Sequence, residues 1–176
     1  MLDSPKTLDH YIGMSEFPEY AILCKNLIPC CWSCNNKKNE TWRQNNQRRY
    51  IHFYNDQFLD NRFLHAEMVY TDGELVANIV YHLHQPAGMP DEAFRIVSTH
   101  FQDLDLLRQY SLRAIEYVSS EIDMLSLYLT KSRNEVRQNL LDRYASHANI
   151  AGRNYWLAIL YEAMANDVHL MNKFME

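Results

Sequence analysis

The chain has 176 residues, 47% hydrophobic and 22% charged, which is the size and balance of one domain or of a small module with an accessory segment, and too short for several full-size folds. Its formal net charge of -5 argues against a protein that coats nucleic acid through overall positive charge. No stretch approaches the roughly 18 apolar residues of a spanning helix, and Met1-Leu2-Asp3-Ser4-Pro5-Lys6 has no basic stretch followed by an apolar run, so a cytoplasmic protein without membrane contact is the expectation.

In chain order, Pro5, Gly13 and Pro18 break up the first segment and leave a short extended stretch over residues 7–11. Residues 26–31 form an apolar run that suits a buried strand interrupted by Pro29. Residues 34–43 are polar and free of Gly and Pro, which predicts a helix opened by an Asn cap. Weak alternation over 50–54 predicts another strand, and residues 63–70 and 74–83 flank Thr71-Asp72-Gly73, a hairpin signal. Beyond Gly88-Met89-Pro90 the character changes. Phe94, Val97, Phe101, Leu104, Leu107, Tyr110, Ile115 and Val118 recur at helical intervals, as do Leu140, Leu141 and Tyr144, then Trp156, Ile159, Leu160 and Ala163. No internal repeat or low-complexity tract is present. These elements describe an α+β chain whose second half is helical.

Chemistry-bearing residues crowd the N-terminal third. Between Lys25 and Arg49 six basic residues (Lys25, Lys37, Lys38, Arg43, Arg48, Arg49) face one acid, Glu40, so a basic island sits on an acidic body. All four cysteines, Cys24, Cys30, Cys31 and Cys34, fall in one segment, a clustering that suggests metal ligation more than disulfides in a cytosolic chain. Only Cys31-Trp32-Ser33-Cys34 has the spacing of a zinc knuckle. The dipeptide Asp9-His10, then Asn26, then Asn35 follow in close order; each alone is commonplace, as a turn or cap residue, and their joint order is not. Further on, His82 and His84 share one face of a predicted strand, compatible with a metal pair or an exposed strand end, and His100 reads as a half-buried core or cap residue.

Leu8-Asp9-His10-Tyr11, Phe17-Pro18-Glu19-Tyr20 and Asn26-Leu27-Ile28-Pro29-Cys30-Cys31-Trp32-Ser33-Cys34-Asn35-Asn36-Lys37-Lys38 together resemble the HNH endonuclease family, closest to a bacterial branch with a D-H-Y, F-P-E, N-L-I-P-x-C-x-x-C-N-x-K-K pattern. The resemblance implies a small ββα-metal module over residues 1–60, followed by a hairpin and helical accessory region over 61–176. It implies that His10 is the general base, that Asp9 and Asn35 hold a hard divalent ion, Mg²⁺ or Mn²⁺, and that Asn26 braces the loop bearing the histidine. Lys37, Lys38, Arg43, Arg48 and Arg49 would contact DNA phosphates, Lys37 foremost. Aromatic residues at Tyr50, Phe53 and Tyr54 suit hairpin or core packing more than stacking on bases.

Cys31 and Cys34 would form half of a structural zinc site. The upstream C-x-x-C of related chains is absent here, so either Cys24 or Cys30 completes a makeshift site or the chain is an N-terminally shortened form. The expected function is accordingly a metal-dependent DNA endonuclease, in the setting of a bacterial antiphage effector acting as a homodimer or with an ATPase-type partner subunit. The alternative is a catalytically impaired, shortened HNH-like subunit that binds DNA or protein.

Overall fold

The computed structural model describes residues 5–70, 78–126 and 132–174. The chain divides into two compact units, Met1–Leu59 with Gln85–Leu106 and Asp60–His84 with Leu107–Glu176. Both mix helix with small antiparallel ribbons or contribute to that mixture, and among the described residues three two-stranded ribbons occur. No helix among those residues is long and apolar enough to cross a membrane.

In the first unit, β1 (Thr7–His10) pairs antiparallel with β2 (Leu27–Cys30), setting Asp9 opposite Ile28 and His10 opposite Leu27. Pro29, opposite Leu8, is tolerated because both strands of a two-stranded ribbon are edges. The helix that follows, α1 (Trp32–Lys38), starts earlier and stops sooner than the polar stretch predicts. Cys31 rather than an asparagine occupies its cap position, and Asn39 ends it by adopting a φ of 51°. The rest of the expected helix turns into a small ribbon, β3 (Arg43–Gln44) and β4 (Gln47–Arg48), joined by Asn45 and Asn46. Both asparagines have positive φ, 51° and 60°, the requirement of a two-residue turn that matches strand twist.

Residues 50–54 do not make a strand. Tyr50 and Ile51 are buried, after which the carbonyl of His52 accepts from the amides of Asn55 and Asp56 to close a turn, and Asp56 accepts from the His52 amide at 2.7 Å. α2 (Asp91–Asp103) belongs to this unit although it lies beyond residue 60, because its partners are there. Its buried stripe is Ala93, Ile96, Val97, His100 and Phe101. Thr99 donates to the Arg49 carbonyl at 2.6 Å, and His100 Nδ1 accepts from the Ile51 amide at 3.4 Å. Burial pushes the His100 imidazole down to about 3, so the ring stays neutral and keeps that acceptor. A division of the chain at residue 60 therefore misses α2.

In the second unit, β5 (Leu64–Val69) pairs with β6 (Asn78–Leu83), Leu64 opposite Leu83, as the hairpin reading expects; the Thr71-Asp72-Gly73 turn lies outside the described residues. Four helices follow: α3 (Leu106–Ser126, its first residue excepted), α4 (Arg133–Ala151), α5 (Trp156–Asn166) and α6 (Val168–Met171). Helix α3 buries Tyr110, Ala114, Val118 and Leu125 along one face. Ser132 and Glu135 form a reciprocal capping box that opens α4. Helix α5 is buried on every side from Trp156 to Tyr161, and so forms the middle of the unit. Ahead of it, Asn154 clasps the start of β5: its Oδ1 accepts from the amides of Phe63 and Leu64, both at 3.0 Å, and its Nδ2 donates to the Asn61 carbonyl at 2.8 Å.

Both amides that Asn154 satisfies belong to buried residues. Asn154→Ala should therefore lower unfolding stability by about 1–3 kcal/mol, read as a reduced urea midpoint at an unchanged slope.

Candidate functional site

Strand β1 alternates faces, and the position that a hydrophobic residue would normally fill carries Asp9, 6% exposed. A carboxylate there needs a counter-charge. Lys38, the last residue of α1 and 5% exposed, supplies it, with Nζ 3.1 Å from Asp9 Oδ1 and 3.0 Å from Oδ2. The same ammonium donates to the carbonyl of His10 at 2.7 Å and to that of Asn39 at 3.4 Å. Burial holds the Asp9 carboxyl above its ordinary range in spite of Lys38, and holds the Lys38 ammonium below its own. Lys38 thus fixes three things at once: the Asp9 side chain, the His10 backbone and the end of α1.

His10 follows on the strand, half-buried, with Nε2 3.2 Å from the carbonyl oxygen of Ala21. A carbonyl oxygen only accepts, so Nε2 carries the hydrogen, and in the neutral ring Nδ1 keeps a free lone pair. The Ala21 carbonyl is positioned by a 3-10 turn over Pro18–Tyr20, in which the Ala21 amide donates to Pro18 at 3.1 Å.

Asn26 ties down the loop between His10 and that turn. Its Oδ1 accepts from the Ile12 amide at 2.8 Å, and its Nδ2 donates to the carbonyls of Ile12 at 3.2 Å and Tyr20 at 3.1 Å. Its own carbonyl accepts from the Tyr11 amide at 2.8 Å. One buried amide side chain therefore grips both ends of the segment that orients the imidazole. Gly13 lies in this segment, and a Cβ there would stand 2.8 Å from the Glu40 carbonyl oxygen, so no larger residue allows the loop to approach the chain beyond α1 so closely.

Asp9, His10 and Asn35 line one open cleft of about 300 Å³, together with Asn36, Asn39 and Glu40 and the apolar side chains of Leu8, Met14 and Trp32. The structure brings together the three residues that the sequence singles out for metal and proton chemistry, with Asn26 behind the loop. It also reveals participants that sequence reasoning missed. Only the Gly13 breaker hinted at the loop contact, and nothing local marks Ala21 or pairs Lys38 with Asp9.

The basic island looks different once folded. Lys38 is not a surface phosphate contact, because it is buried against Asp9. Four of the others are also matched with carboxylates: Lys37 with Asp105 at 3.6 Å, Arg43 with Glu16, Arg48 with Asp56 at 2.8 Å and Arg49 with Asp103 at 2.5 Å. Lys37 Nζ also donates to the Leu104 carbonyl at 3.0 Å. Partners contributed by the loops and by α2 cancel most of the local excess that the sequence shows.

Cys31 is buried and Cys34 half-buried; burial, with the Cys31 thiol beside it, pushes Cys34 up to about 12. Cys30 lies 3.4 Å from the Thr7 hydroxyl and Cys24 is exposed. Among the described residues no group of three or more His, Cys, Asp and Glu side chains is arranged to hold a metal ion. Tyr50 is core, whereas Phe53 and Tyr54 are about half exposed. Phe17 packs on Tyr20 and Trp42. In the second unit His65, across the ribbon, stacks on His82 at 5.7 Å and meets His84 edge-on at 6.1 Å, a neighbour that the sequence spacing of the latter two does not show.

No family model matches the chain, and no solved structure matches it. Among curated proteins it is similar to protein ea31 of Escherichia phage lambda, with 25% identity over 175 residues, an alignment that covers 92% of this chain and 58% of that protein. The chain thus spans less than two thirds of the length of that relative.

Removing Lys38 should expose the charge problem it solves. Lys38→Met leaves a buried carboxylate without a counter-ion and should destabilise the protein by about 3–5 kcal/mol at pH 7. The folded-state carboxyl lies above its unfolded value, so the folded form binds the proton more tightly and stability falls as pH rises between the two values. The variant should accordingly recover stability on going from pH 7 toward pH 4, and thermal midpoints measured at both ends test this.

Proposed function

We propose that this chain is a metal-dependent endonuclease of the HNH type that hydrolyses DNA phosphodiester bonds. The observation that carries this reading is the meeting of Asp9, His10 and Asn35 in one cleft at the junction of β1 and α1. In this reading the β1, β2 and α1 elements constitute the ββα-metal module.

His10 is the general base. Its Nε2 hydrogen is committed to the Ala21 carbonyl, so the proton from the attacking water goes to Nδ1, and the resulting imidazolium retains a satisfied Nε2 donor. Asn26 acts through the loop: it orients the ring without touching the reacting atoms. The residue types suit a hard cation: Asn35 would offer an amide oxygen, and Asp9 a carboxylate that Lys38 would have to share or release. A Mg²⁺ or Mn²⁺ ion held by these two residues would neutralise charge on the phosphate and the leaving oxygen. Lys37 and Arg43, the more exposed of the paired cations, reach backbone phosphates by sharing themselves between phosphate and their carboxylate partners. Cys31 and Cys34 would be two of the ligands of a structural zinc, with the remaining ligands to come from elsewhere.

A second reading keeps the fold and drops the reaction: a DNA-binding or protein-interaction subunit. The Lys38 ammonium favours it, because it already neutralises Asp9. Purified protein incubated with Mg²⁺ or Mn²⁺ and either supercoiled plasmid or a single-stranded circle decides between the two. The endonuclease reading expects nicking or linearisation that falls by about 10²–10⁴-fold in His10→Ala. Binding without cutting under both metals selects the second reading.

A further inference from the structure

The cleft has two kinds of wall. One is apolar and open to water: Trp32, the first residue of α1, is 69% exposed, and Leu8 and Met14 are 56% and 46% exposed. The other is lined by Asn35, Asn36 and Asn39, a residue type whose side-chain amide has both donors and an acceptor. An indole left in water beside further apolar side chains marks a contact surface. A flat heteroaromatic group with a hydrogen-bonding edge matches both walls, and about 300 Å³ is at the small end of ligand-sized sites.

The charges point the same way. A regular duplex is gripped mainly through its phosphates by cations free to release counter-ions. Here much of the nearby positive charge is already committed: Lys38 is buried on Asp9, and Arg48 and Arg49 each make two bonds to one carboxylate, of Asp56 and Asp103. With phosphate contacts left chiefly to shared cations such as Lys37 and Arg43, stacking of a base on an aromatic ring adds binding energy that needs no free cation.

We propose that Trp32 stacks on an unpaired nucleobase in this cleft, so that the substrate class of the chain is single-stranded or locally unpaired nucleic acid. This rests on the endonuclease reading for placing nucleic acid at His10, but its test does not depend on cleavage. The full chain is titrated in EDTA with a labelled oligo(dT) strand of about 12 nucleotides and with a blunt duplex of the same length, following anisotropy and tryptophan emission. The strand should bind at least about tenfold tighter than the duplex and quench emission. Trp32→Ala should weaken strand binding by roughly 5- to 150-fold, the equivalent of about 1–3 kcal/mol per stacked base, while Trp32→Phe retains most of it. An exposed residue is substituted, and circular dichroism confirms that both variants fold.

Strand binding by Trp32→Ala within twofold of the parent, duplex binding as tight as strand binding, or no binding of either oligonucleotide overturns the proposal. So does sedimentation as a dimer in which Trp32 is shielded from acrylamide, which would assign this surface to a second copy. A chain that binds the strand through Trp32 but never cuts retains the stacking and loses the endonuclease. A chain that cuts while Trp32→Ala binds normally does the reverse.

Discussion

The first unit is organised around one buried ion pair. Asp9 and Lys38 lie 29 positions apart, on the first strand and at the end of the first helix, and neither could remain ionised in its place without the other. Ion pairs this deeply buried contribute little net stability compared with apolar residues of similar volume, because both partners lose their hydration. What this one contributes is definition: a single ammonium sets where the strand, the helix end and the His10 carbonyl stand relative to each other. The electrostatic economy extends outward, since every arginine and lysine of the basic island from Lys37 onward has a carboxylate partner.

The loop after His10 is shaped differently, by hydrogen bonds rather than by packing. Residues 12–21 hold no long stretch of regular structure, yet Asn26 satisfies the amide and carbonyl of Ile12 and the carbonyl of Tyr20. Directional bonds of this kind fix an orientation where apolar contact would leave a range of them. The imidazole inherits that orientation through Ala21.

Much of this was legible in the sequence where the signal is local. The first two strands, the hairpin and the helical second half follow from alternation and from apolar spacing, and Asp9, His10, Asn26 and Asn35 stand out by their order. What was not legible depends on distant partners. The polar run through residue 43 has helix composition throughout, yet Asn39 ends the helix, and Asn45-Asn46, a turn signal in plain view, belongs to a ribbon that helical composition conceals. Tyr50 to Tyr54 alternates like a strand but pairs with no strand among the described residues and turns at His52 instead. The basic island reads as a free positive surface because Asp103 and Asp105 lie more than fifty positions away from the residues they neutralise. His65 joins His82 and His84 only through the register of a ribbon.

The interleaving of the two units bears on how the chain acquires its shape during synthesis. The first unit needs α2, so the partners of Arg49 and Ile51 leave the ribosome about fifty residues after them. Strands β1 and β2 and helix α1 can meet early, since they are neighbours in sequence, but the segment around Tyr50 must wait with its buried face exposed while the whole β5 and β6 ribbon is made. Long loops of this kind slow closure and leave a transient apolar surface open to aggregation and to chaperones. A fragment that stops before α2 would be held permanently at that stage, with the side of the first unit that α2 covers left bare.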